Sequence, residues 1–229
     1  MKRFLLLMPA LAMAVSCDSP GGPGGAADED YFPFSTGSNW QYDRLGEIDT
    51  LGIQYSVSGG TSVSVVSVTA MVGFDLVHTL SVGYDTLYGD GVDSLFVPLA
   101  GTGFIRLDDG GVWQYTDSTM TDSFRVARFP LAVGDTWEYL PGGSGSVSGE
   151  AEVISLDETV TVPDGTFQDV LHIRYTIETG VVTTMDRWFG PGTGLLKTET
   201  QVTAGGGPAI LYDMTEDLVD HLILPGVLP

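Results

Sequence analysis

Apolar and polar residues alternate with a period of two along much of this chain. Leu171, Ile173, Tyr175 and Ile177 fall on one face of such a run, with His172, Arg174 and Thr176 on the other. Val160 and Val162 alternate with Thr159 and Thr161, and Trp113 and Tyr115 flank Gln114. The pattern predicts β-strands, each with one buried face. The phase breaks at two places. Val63 and Val65 share a face while Val66 and Val68 take the other, and Val153 and Ile154 are adjacent. An extra residue that flips the phase predicts a β-bulge. Turn chemistry separates the runs at Gly89-Asp90-Gly91, Asp108-Asp109-Gly110-Gly111 and Pro163-Asp164-Gly165, with a longer Gly/Ser loop from Pro141 to Gly149. Beyond the first sixteen residues no long helical period occurs. One short C-terminal helix is expected, with Asp213 as N-cap, Glu216 three residues later and an end near His221. An apolar tail, Leu222 to Pro229, follows. The class predicted is all-β, built of antiparallel sheets.

The chain repeats itself. Tyr31 to Tyr42 aligns with Arg128 to Tyr139, and both carry Phe-Pro-Φ-x-x-Gly-x-x-Trp-x-Tyr, where Φ is apolar. Each copy precedes alternating runs, so the motif reads as a Pro-Gly corner that delivers Trp and Tyr to one face of a strand. Trp40 and Trp137 are therefore expected to be core anchors. This divides the body into β-rich units at 31–127 and 128–214, with the short helix and tail at 215–229.

The first thirty residues have a different character. Lys2 and Arg3 precede an apolar run from Phe4 to Val15, which is too short to span a bilayer about 30 Å thick as a helix. Ala14-Val15-Ser16-Cys17 follows and resembles the bacterial lipobox, in which a signal peptidase cuts before a lipid-modified cysteine. Residues 1–16 are thus expected to be a signal peptide, with Cys17 as the lipidation site. The segment 17–30 reads as an acidic, Gly-rich tether, since it has almost nothing apolar to bury. Cys17 is the only cysteine, which leaves no intrachain disulfide and makes acylation its best use. This arrangement implies a bacterial cell envelope location with the membrane as partner.

Charge narrows the function classes. The chain has 30 Asp and Glu against 9 Lys and Arg, a net charge of −21. Loss of Lys2 and Arg3 with residues 1–16 changes this to −23 (−21 − 2). No basic stripe exists to neutralise phosphates, which argues against nucleic acid. It argues equally against docking of the body on anionic headgroups.

Three segments together resemble uncharacterised bacterial β-rich lipoproteins. These are the Phe-Pro corners, Val162-Pro163-Asp164-Gly165-Thr166-Phe167, and Trp188-Phe189-Gly190-Pro191-Gly192-Thr193-Gly194-Leu195-Leu196-Lys197. The resemblance covers about Phe32 to Glu199 and implies antiparallel sheets, of a kind likened to the half-barrel of lipoprotein carriers. It implies no activity and no catalytic residue.

Catalytic patterns are absent from the sequence. No Gly-x-Ser-x-Gly elbow occurs. His78, His172 and His221 are far apart and form no metal-ligand spacing, and His172 falls on the polar face of its strand. Gly190 to Gly194 lacks the setting of a dinucleotide loop and reads as a turn. No cofactor motif is present. Acidic clusters at Asp85, Asp90 and Asp93 and at Asp108 and Asp109 offer oxygen ligands without EF-hand spacing. The expectation is a non-enzymatic binding or structural module, whose partner is an envelope protein or an apolar ligand in a sheet concavity. The alternative is an envelope glycan or lipid hydrolase using a carboxylate pair.

Overall fold

The computed structural model describes residues 26–50, 53–89, 94–120, 123–140, 148–204 and 210–225. Cys17, Asp90, Asp93 and most of the predicted tether lie outside them. The protein is all-β. Twelve strands form one antiparallel sheet: β1 (Asn39–Thr50), β2 (Ile53–Met71), β3 (Phe74–Gly89), β4 (Leu95–Asp108), β5 (Gly111–Tyr115), β6 (Ser123–Arg128), β7 (Thr136–Glu138), β8 (Ser148–Val162), β9 (Gly165–Glu178), β10 (Val181–Gly190), β11 (Gly194–Ala204) and β12 (Ile210–Leu222). Their order is β6-β5-β4-β3-β2-β1-β12-β11-β10-β9-β8-β7. Each neighbour pair but one is consecutive in sequence, and the exception, β1 with β12, joins the first and last strands at the centre of the sheet.

The sheet curls until its two edges nearly meet. At the seam, the Arg125 amide donates to the Tyr139 carbonyl at 2.9 Å. The Trp137 indole donates to the Arg125 carbonyl at 2.8 Å, and the Tyr175 hydroxyl donates to the Val126 carbonyl at 2.8 Å. The result is a single barrel-like body to which both β-rich units contribute strands. Its largest buried cluster contains Leu171, Ile173 and Tyr175, the predicted inward face of β9.

Both bulges occur where the phase flips. The β2–β3 register shifts between Val65 and Ser67, and the β8–β9 register between Val153 and Ser155. The repeated corners explain why. The Gly37 amide donates to the Val65 carbonyl at 2.8 Å, and the Val65 amide donates back to the Ser38 carbonyl at 2.9 Å. In the second copy Gly134 and Asp135 hold Val153 in the same way, at 2.8 and 3.0 Å. Each corner therefore clamps the residue that starts a bulge. Gly37 and Gly134 have φ of 88° and 84°, a left-handed conformation that favours glycine. Trp40 and Trp137 are both buried.

Two expectations are corrected. The segment Asp213 to His221 is not a helix but most of β12. Its capping pattern is local, whereas β12 fills the slot between β1 and β11 and satisfies the backbones of both. Met214 and Leu218 are buried from it. The tail then turns back, and the Leu224 amide donates to the Ser38 hydroxyl at 3.1 Å. The second correction concerns the tether. Its last residues are ordered, because Asp28–Tyr31 form a 3₁₀ turn docked on the barrel. The Asp28 carboxylate accepts from the Leu131 amide at 3.0 Å, and the Asp30 carbonyl accepts from the Gly192 amide at 2.7 Å.

Candidate functional site

Alternation along β10 splits its side chains into two environments. Asp186 and Trp188 project outward, where they meet His172 of β9. The His172 ring bonds Glu158 through Nδ1 at 2.9 Å and Asp186 through Nε2 at 2.7 Å. Trp188 stacks on it, with centroids 4.4 Å apart, and donates its indole N–H to Glu158 at 2.8 Å. Arg174 completes the group by donating to Asp186 at 2.9 Å. His172 is only 6% exposed, so it is not the solvated residue that its place on a polar face predicted. Two carboxylate acceptors require both ring nitrogens to donate, which is the imidazolium form. Burial works against that charge, but the hydrogen bonds to Asp186 and Glu158 outweigh it and hold the His172 pKa above the ordinary value. Burial likewise favours the neutral acid at Asp186, and hydrogen bonds from His172 and Arg174 overcome it and hold that pKa below the usual range. An imidazole with both nitrogens engaged has none left for a nucleophile or substrate. This group is a structural clasp on the outer wall.

The inward residues of β10 have different neighbours. Arg187 points into the barrel between Met185 and Phe189 and borders a cavity of about 220 Å³. Tyr31, Phe32, Phe34, Trp40, Tyr42 and Leu195 supply much of the wall, with Thr79, Ser81 and Gln114 as polar points. The aromatic polar atoms are already committed. The Trp40 indole donates to the Thr193 carbonyl at 2.6 Å, and the Tyr42 hydroxyl donates to the Leu195 carbonyl at 3.0 Å. Burial raises the pKa of Tyr42 and of Tyr175 well above that of an ordinary phenol. Arg187 lies 5.4 Å over the Tyr175 ring, and its buried Nε has no hydrogen-bond partner. Among the described residues no Asp or Glu lines the cavity.

The remaining sequence candidates are dispersed. His78 stacks flat on Phe104 at 4.8 Å, and His221 pairs with Asp164 at 2.5 Å. Asp85 is buried and pairs with Arg44, while the Asp108 carboxylate bonds Arg106 and the Gly110 amide. Among the described residues no group of three His, Cys, Asp or Glu is placed to hold a metal. Gly190 to Gly194 form the β10–β11 turn, with Gly192 and Gly194 at positive φ. Sequence reasoning passed over Arg187, although a signal was present. An arginine in the apolar phase of Met185-x-Arg187-x-Phe189 is a charge where the alternation calls for a buried residue.

Fold and site together define a barrel-like antiparallel sheet with a small, partly open aromatic cavity bordered by Arg187. No protein-family model and no curated protein matches the chain. It is similar to two solved structures. One is a protein of Bacteroides fragilis assigned as exported, with a YmcC-like fold, at 15% identity and a TM-score of 0.48, covering 83% of this chain and 98% of that one. The other is a protein of Parabacteroides distasonis assigned as a lipoprotein, at 15% identity and a TM-score of 0.48, covering 84% and 98%.

Proposed function

We propose that this protein is a lipid-anchored binding module of a bacterial cell envelope, and that its barrel takes a small apolar ligand into the interior cavity. The cavity carries the reading. At about 220 Å³ it exceeds the roughly 150 Å³ that accommodates benzene in an engineered apolar core. It falls below the roughly 300–1,000 Å³ of sites for drug-sized ligands. Its capacity is one ring or a short aliphatic chain. With no carboxylate among the described residues of its wall, hydrolysis by a carboxylate pair gains no support there.

The anchor rests on the lipobox-like Ala14 to Cys17 and on the absence of any other thiol. Ala26 packs against the core at the barrel end that holds the β2–β3, β4–β5, β8–β9 and β10–β11 turns. Eight residues lie between it and Cys17, so the two are at most about 32 Å apart. A lipid on Cys17 would therefore hold that end toward the bilayer.

Two measurements test the reading. Metabolic labelling with a radioactive fatty acid should mark the wild type and not Cys17→Ala; label persisting in the mutant overturns the anchor. For the cavity, the mature chain carrying Cys17→Ser, which leaves every described residue unchanged, is titrated with toluene. Saturable shifts of the Trp40 indole resonance are expected. An unmoved Trp40 and Phe189 at saturating toluene would refute the binding role.

A further inference from the structure

Resting on that cavity reading, we propose that the natural ligand bears a carboxylate that pairs with Arg187, which makes it a small aromatic or short-chain carboxylic acid. The argument begins from charge. Acids outnumber bases by 30 to 9, and four of the seven described basic side chains have a carboxylate within ion-pair distance. Arg44 has Asp85 and Glu216, Arg106 has Asp108, Arg174 has Asp186 and Lys197 has Glu199. Among the described residues Arg125, Arg128 and Arg187 have no such carboxylate; Arg125 donates to the Gly110 carbonyl and lies over Trp113, whereas Arg187 borders the cavity. Arg187 is partly buried, and a cation partly withdrawn from water is costly unless something compensates it. The Tyr175 ring and its hydroxyl, which accepts a hydrogen bond from the guanidinium, supply part of that compensation, yet Nε remains without an acceptor.

The surroundings specify the missing partner. A planar guanidinium whose Nε has no acceptor matches a carboxylate, which can accept two parallel hydrogen bonds from such a fork. The rest of the wall is aromatic and aliphatic, and the volume holds about one ring beside the head group. The protein's overall negative charge does not defeat such binding. At physiological salt the Debye length is about 8 Å, so distant surface acids are screened while the adjacent cation is not.

The test compares phenylacetate with its neutral isostere phenylacetamide by calorimetry, on the mature Cys17→Ser chain at about 0.15 M salt. Phenylacetate is expected to bind at least tenfold more tightly. Arg187→Met should abolish that preference, retain toluene binding and melt no lower than its parent, since it removes an unpaired inward charge. Arg187→Lys, which keeps the charge without the planar fork, should weaken phenylacetate several-fold and leave the amide unchanged. Equal affinity for acid and amide, or a preference that survives in Arg187→Met, overturns the inference. If toluene binds and phenylacetate does not, the carboxylate inference falls and the cavity reading stands. If neither binds, both fall.

Discussion

Arg44 on β1 reaches Asp85 on β3, Nη1 to Oδ2 at 3.1 Å, across the strand that separates them. The residue crossed is Gly59 of β2, which is paired with Arg44 on one side and with Asp85 on the other. On the far side Glu216 of β12 lies 2.9 Å from Arg44 Nε, so these charges form a row over four strands. A Cβ at Gly59 would lie 2.1 Å from the Tyr84 carbonyl and 2.4 Å from Asp85 Oδ1. Backbone cannot yield as a side-chain tip does. Gly59→Ala should therefore destabilise by about 1–3 kcal/mol, the range of overpacked sites. Chemical denaturation of Gly59→Ala beside the parent checks this, and an unchanged midpoint would contradict it.

The outer clasp predicts a pH dependence of known sign. The His172 pKa is raised by folding, so its contribution is complete below the ordinary histidine value and is lost as pH rises through the folded value. Asp186 is depressed, so its contribution holds above the ordinary aspartate value and fades as pH falls through the folded one. The two overlap between about pH 4 and 6.5. General repulsion among the protein's many acids also varies with pH, so the informative quantity is a difference between variants. The gap in unfolding midpoint between wild type and His172→Gln should be larger near the acid end of neutrality, at about pH 5.5, than at about pH 8.5. An equal gap at both would show that the imidazolium is not what Glu158 and Asp186 hold.

Closure of the barrel depends on few bonds. Tyr175→Phe keeps the ring but leaves the Val126 carbonyl without its donor in a buried setting. A buried acceptor left unsatisfied costs about 1–3 kcal/mol. The loss should be local, so amide hydrogen exchange should quicken in β6 and near Trp137 while β1 and β12 keep their protection. Uniform acceleration would argue against a seam that opens separately.

Gly134 isolates the conformational demand of the repeated corner. Its φ is 84°, and a Cβ added there would meet no atom within 4 Å. Gly134→Ala should cost about 1–2 kcal/mol from the left-handed backbone alone. D-alanine at this position, introduced by chemical ligation, should restore stability, which a steric cause would not allow.

Much of the fold was legible in local pattern. Period-two alternation marked the strands, and the flips at Val65/Val66 and Val153/Ile154 marked both bulges. Pro163-Asp164 and Asp109-Gly110 marked their hairpin turns, and the repeated corner marked Trp40 and Trp137 as core. These features depend on residues one to four apart, which interact through pleat and turn geometry whatever the rest of the chain does. The proposed lipidation of Cys17 is likewise a reading of its immediate flanks alone, and Cys17 lies outside the described residues.

Tertiary structure decided what depends on distant partners. Asp213 to His221 carries helix-capping residues, yet it pairs with β1, at the other end of the described chain, because two strands need its backbone. His172 sits in a polar phase and is nevertheless buried, since Glu158, Asp186 and Trp188 close over it from neighbouring strands. Arg187 and the cavity beside it exist only once the sheet curls and brings the Phe-Pro corner, β3, β4 and β10 around one space. Alternation fixes which way a side chain points relative to its own strand. What it meets there is set by sheet order and curvature, and those arise from contacts that no local pattern encodes.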